Sequence, residues 1–144
     1  EEDEAYILAL LNSISLDWYA RRWTDKHIGN DLLNRLPLPR LNRSDPRRRR
    51  LVELAVFQSA IDDRFGAWAV AAAGIGVEQA VASRRPSDIA EMDALSALAY
   101  GLDGESLEKQ FRTFHHLPWD YEDRMQLALR YHQRWSTSQG TSSG

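Results

Sequence analysis

The chain has 144 residues, 43% of them hydrophobic and 27% charged, with no cysteine and a formal net charge of −3. That length suits one ordinary domain with a real core. Disulfides, thiolate metal sites and cysteine nucleophiles are excluded, as is a chain that coats nucleic acid by bulk charge. No apolar run is long enough to span a bilayer, and the opening Glu1-Glu2-Asp3-Glu4 is the reverse of a cationic signal-peptide start. A cytoplasmic protein without a membrane partner is therefore expected. The chain does not open on Met, which fits a fragment or a processed product.

The first helix is expected from about Asp3 to Trp23, where Ile7, Leu8, Leu11, Ile14, Trp18 and Trp23 recur near helical spacing. Acids in its first turn and Arg21 and Arg22 in its last match the macrodipole. Asn12-Ser13 is anomalous there, because both are poor helix formers in the middle of an apolar face. A polar loop, Thr24 to Asn30, leads to Leu32, Leu33 and Leu36, and Pro37-Leu38-Pro39 enforces an extended stretch. A linker is placed at Pro37 to Ser44.

Ser44-Asp45-Pro46 is a strong helix start, a capping side chain followed by proline at the first helical position. The second helix is expected to run to about Ala73, with Leu51, Leu54, Phe57, Ile61, Phe65 and Trp68 inward. Gly74-Ile75-Gly76 ends it, and a single turn over 77–83 precedes Arg85-Pro86. Ser87 should cap a third helix that runs through Tyr100 and ends on Gly101 at a left-handed position. Asp103 should cap a fourth, with Leu107 and Phe111 inward. A last helix is expected from Asp120 to Trp135, before a disordered Ser/Thr/Gly tail. Nothing alternates with period two over a strand's length. The expected fold is all-α, a small bundle of about five helices with a Pro-rich linker after the first.

Catalytic patterns are absent. The four histidines form no HExxH or related metal-ligand spacing, so no metal site is expected. Asp62-Asp63 and Glu122-Asp123 are sequential on helices and cannot face one substrate together. There is no GxSxG, Walker-type or GxGxxG element, and no Asn/Asp-Pro-Pro motif of the kind amino-group DNA methylation uses. Trp18, Trp23, Trp68 and Trp135 fall on the apolar stripes and suit core packing better than base stacking.

One feature has a functional character. Arg40, Arg43, Arg47, Arg48, Arg49 and Arg50 fall in one short stretch, and four adjacent cations at the positive end of a helix call for a compensating anion. DNA phosphate would satisfy them, and so would acids of the same or a neighbouring domain. The phosphate reading predicts that replacing Arg47 and Arg48 by Ala weakens nucleic-acid binding without unfolding the domain. Lys26, His27 and Asn30, in the loop, can also hydrogen-bond to phosphates or base edges, although a polar inter-helix turn looks the same.

Two stretches resemble a known family. Leu10-Leu11-Asn12-Ser13, then Trp18-Tyr19, a glycine-containing loop and Leu36-Pro37-Leu38-Pro39 are similar to the end of the target-recognition region in adenine-specific (N6) DNA methyltransferases of type IIG and related restriction-modification or phage-defence systems. Met92-Asp93-Ala94-Leu95, Tyr100-Gly101-Leu102-Asp103 and Thr113-Phe114 resemble the C-terminal tail of the same family, and the two stretches occur in the family's order. The resemblance implies a parent enzyme that transfers a methyl group from S-adenosylmethionine to a flipped adenine, with catalytic and cofactor motifs upstream of this chain.

On that basis residues 1–39 are expected to close a recognition-like region, 40–135 to form a C-terminal helical domain, and 136–144 to be tail. The expected role is a non-catalytic recognition or scaffold segment that contacts DNA backbone and an upstream methyltransferase domain or another subunit. The alternative is a helical interaction module that docks onto a larger subunit without touching DNA.

Overall fold

The computed structural model describes residues 1–22, 34–114 and 120–137. Among the described residues there are eight α-helices, one 3-10 turn and no strand, so the fold is all-α. We number the helices α1 (Glu2–Leu11), α2 (Ile14–Arg21), α3 (Pro46–Ser59), α4 (Gly66–Ala73), α5 (Val77–Ser83), α6 (Asp88–Ala99), α7 (Gly104–Arg112) and α8 (Asp120–Thr137).

The expected first helix is two helices. It breaks at Asn12-Ser13, where Ser13 leaves helical geometry with ψ 149° and caps α2, its side chain accepting from the Leu16 amide. The long second helix also divides. It stops at Ser59, Asp62 accepts from the Arg64 amide to start the 3-10 turn over Asp63–Phe65, and α4 follows. Leu51, Leu54 and Phe57 are buried as the apolar stripe requires, but Ile61 lies beyond the break and is 54% exposed.

Other helix ends follow local chemistry. Asp45 accepts from the Arg47 amide at 2.8 Å, with Pro46 at N1 of α3. Asp103 does the same for Ser106 at the start of α7. Gly101 adopts φ +72°, with the Leu102 amide bonding to Ala97 O and the Gly101 amide to Leu98 O. These are the two bonds of a Schellman termination. Ser87 precedes α6 without a side-chain cap bond; its hydroxyl instead accepts from Tyr131 at 3.1 Å.

Helix α6 is the centre of the molecule. Every residue from Ala90 to Ala97 is buried, because neighbours cover it on opposite faces. Met92 and Leu95 join one apolar cluster with Ala5, Leu10, Leu51, Leu54, Val56 and Ala69 from α1, α3 and α4. Ala90 and Ala97 join a second, with Ile14, Leu107, Phe111, Met125 and Ala128 from α2, α7 and α8. The break at Asn12-Ser13 is what lets one N-terminal segment serve both clusters. Residues on either side of position 39 share the first cluster, and the Tyr6 hydroxyl donates to Pro39 O at 2.8 Å. No single described helix is long and apolar enough to cross a membrane; the bent pair Asp63–Ala73 and Val77–Ser83 passes that test only jointly, across an 83° turn.

Candidate functional site

The arginine run occupies the approach to α3 and its first turn, and acids of the same chain answer most of it. Arg47 grips its own helix cap, with Nη2 2.6 Å from Asp45 Oδ2. Arg48 is buried: Nε donates to Glu2 Oε1 at 2.9 Å, Nη2 donates to Asp3, and the guanidinium lies 4.3 Å from the centre of the Tyr6 ring. Arg43 reaches the same two acids, at 2.8 Å from Asp3 Oδ2 and 3.4 Å from Glu2 Oε2. Arg50 is bidentate to Glu91 at 2.8 and 3.2 Å and contacts Glu53 at 3.0 Å. Glu91 also accepts from Trp135 Nε1 at 3.1 Å, which ties α3, α6 and α8 together.

The local cost of cations at a helix N-terminus is therefore offset by the first turn of α1 packed alongside. Arg40 and Arg49 differ. Both are exposed and neither has a partner among the described residues. Arg49 lines a cavity of about 270 Å³ with Arg43, Glu2 and Glu53. Lys26, His27 and Asn30 lie outside the described residues.

The ion pairs set the protonation behaviour of the patch. The Arg47 side chain, then its backbone amide and charge, outweigh partial burial and hold the Asp45 carboxyl below the usual aspartate range. Asp3 is also lowered: the Arg43 and Arg48 guanidiniums prevail over desolvation, the largest single effect. For Arg50, burial works against the charged form, but the bonds and charges of Glu91 and Glu53 more than compensate and raise it.

A second constellation was not anticipated from sequence. Asp93 is fully buried in the middle of α6. Its Oδ1 accepts from the Ile14 amide at 2.8 Å and from Arg124 Nη2 at 2.9 Å, and its Oδ2 from Arg124 Nε at 2.7 Å. The acid thus satisfies an amide exposed by the α1–α2 break and joins α2, α6 and α8. Burial pushes the Asp93 carboxyl up, against the opposing pull of Arg124 and the Ile14 amide. Beside it, Ser13 Oγ donates to Leu10 O and Ser15 Oγ donates to Gln110 Oε1. The only hint in the sequence is a lone acid between apolar neighbours in Met92-Asp93-Ala94-Leu95. A cavity of about 270 Å³ opens next to this junction, with Asn12, Asp17, Tyr121 and Arg124 on its walls.

Among the described residues no three His, Cys, Asp or Glu side chains are placed to hold a metal ion. His132 is buried, with Nε2 2.8 Å from Leu102 O, and the other three histidines lie outside the described residues. Trp18, Trp68 and Trp135 are half-buried, Trp18 under the Arg22 guanidinium at 4.4 Å. On the far side of α1, Ile7, Leu8 and Leu11 face Phe65 and Trp68 across an apolar groove of about 460 Å³. Compared with family models, curated proteins and solved structures, the chain matches none.

Proposed function

We propose that the chain is a non-catalytic recognition and scaffold segment of an adenine-specific DNA methyltransferase from a restriction-modification or phage-defence system. Methyl transfer from S-adenosylmethionine belongs, on this reading, to residues upstream. The observation that carries it is the Asp93 junction. The two stretches that resemble the family, one running from Leu10 to Pro39 and one containing Asp93, meet in one buried hydrogen bond between Ile14 and Asp93, 79 residues apart. That contact supports reading them as two halves of one architectural unit. DNA-backbone contact then falls to Arg40 and Arg49, the two arginines of the run that no described acid engages.

Fluorescence anisotropy of a labelled duplex across a salt series tests this. Two phosphate contacts give a slope of log affinity against log salt of about −2, whereas six arginines on DNA would give about −5. Arg40→Ala with Arg49→Ala should flatten the slope. No binding at low salt would remove DNA contact from the proposal and leave only the scaffold role.

The apolar groove favours a second reading, a module that docks onto a larger subunit. Ile7 and Leu11, 37% and 43% exposed, lie on a helix whose opposite face is fully used in the core.

A further inference from the structure

We propose that the cavity beside the Asp93 junction binds a free α-amino acid with an apolar side chain. The proposal goes beyond the DNA reading and does not depend on it. The cavity holds about 270 Å³ and is walled by α2, α8 and the residues that join α1 to α2. That is just below the roughly 300–1,000 Å³ of pockets for drug-sized ligands, so it suits a small metabolite.

Two charged side chains on its walls are only partly used. Arg124 gives Nε and Nη2 to Asp93, at 2.7 and 2.9 Å, and its Nη1 has no hydrogen-bond partner among the described residues. Asp17 accepts from Arg21 Nε through Oδ1 at 2.9 Å, and its Oδ2 accepts from no described donor. Asp17 is close enough for its charge to act on Arg124.

Charge selects the ligand. Arg21 balances Asp17 and Asp93 balances Arg124, so the site as a whole favours neither a simple anion nor a simple cation. A zwitterion gains at both ends. Its carboxylate accepts from the free Nη1 of Arg124, and its ammonium donates to Oδ2 of Asp17, both as charge-assisted bonds. An α-amino acid carries these two groups on one carbon, and its side chain then meets Leu11, Leu16, Ala20 and Leu36. A peptide terminus carries one of the two charges and loses the other anchor.

The test is isothermal titration calorimetry of the full chain with L-leucine and three relatives. Leucine amide lacks the carboxylate, N-acetyl-leucine lacks the ammonium, and glycine lacks the apolar side chain. L-leucine should bind, and each relative should bind about tenfold more weakly or not at all. The leucine-bound chain should also melt at a higher temperature, because only the folded state joins α2 to α8 around the ligand. Asp17→Asn should weaken leucine binding about tenfold, while Glu78→Gln, exposed on α5, should leave it unchanged. Circular dichroism melts confirm that each variant folds, and the comparison of ligands on the unaltered chain needs no variant. No binding of leucine at millimolar concentration would overturn the proposal. So would equal binding of any of the three relatives, or leucine binding indifferent to Asp17→Asn.

Discussion

Arg48 and Arg49 are neighbours in sequence and opposites in environment. The Arg48 side chain is 7% exposed, bound to Glu2 and Asp3 and stacked on Tyr6, while Arg49 projects outward with no described partner. Arg48→Ala leaves Glu2 and Asp3 only the exposed Arg43 and removes packing from the Tyr6 ring, so it should destabilise the chain by about 1–3 kcal/mol. Arg49→Ala should stay within about 0.5 kcal/mol of the parent. Urea-unfolding midpoints compare the two. This revises the expectation that Arg47 and Arg48 can be replaced together without unfolding, and it follows from tertiary partners 45 and 46 residues away. Asp93→Ala is the severer change. It leaves the partly buried Arg124 and the Ile14 amide without their shared acceptor, and breaking a pair whose acid is fully buried costs about 3–5 kcal/mol.

At the scale of single elements, what could be read depended on whether the cause was local. The starts of α3 and α7 and the end of α6 each rest on residues within one turn, Asp45-Pro46, Asp103 and Gly101, and all three lie where expected. The break at Asn12-Ser13 was visible as an anomaly but not as a break, because the group that holds the freed Ile14 amide is Asp93 on a distant helix. Likewise the α3 stripe continues in helical period through Ile61 and Phe65, and only Asp62 capping the next turn shows where it stops. Of the candidate site, the arginines were legible as a cluster that needs anions. Which anions was not, since acids of the same chain and DNA phosphates satisfy the same charge. Two glycines give a sharp contrast. Gly101→Val, at φ +72°, forces a β-branched residue into the left-handed region and should lower the unfolding free energy, read from urea titration, by about 1–2 kcal/mol. Gly76→Ala, at φ −74° with open space around its Cβ position, should stay within about 0.5 kcal/mol of the parent, the lower entropy of the unfolded chain offsetting alanine's poorer fit at the α5 N-cap.

At the scale of the whole molecule, carboxylates set the response to pH. Asp3 and Asp45 have folded values below the unfolded aspartate value of about 3.9. Their contribution is present above that value and is lost as pH falls through the lowered folded values. Asp93, raised by burial, acts in the opposite sense and offsets part of the loss. The melting temperature should therefore fall below about pH 4, where Asp3 and Asp45 take up protons. Asp45→Asn should make that fall shallower. A melting temperature that rises on acidification would show that Asp93 outweighs the α1–α3 pairs.

The acids that quiet the arginine run sit on the first turn of α1, on a different element from the cations they answer. Local unwinding of that turn takes Glu2 and Asp3 with it and leaves Arg43 and Arg48 bare beside Arg40 and Arg49. A molecule unwound there is thus stickier toward polyanions than an intact one. Retention on heparin then measures damage as much as recognition, and the fraction that elutes earliest is the folded one.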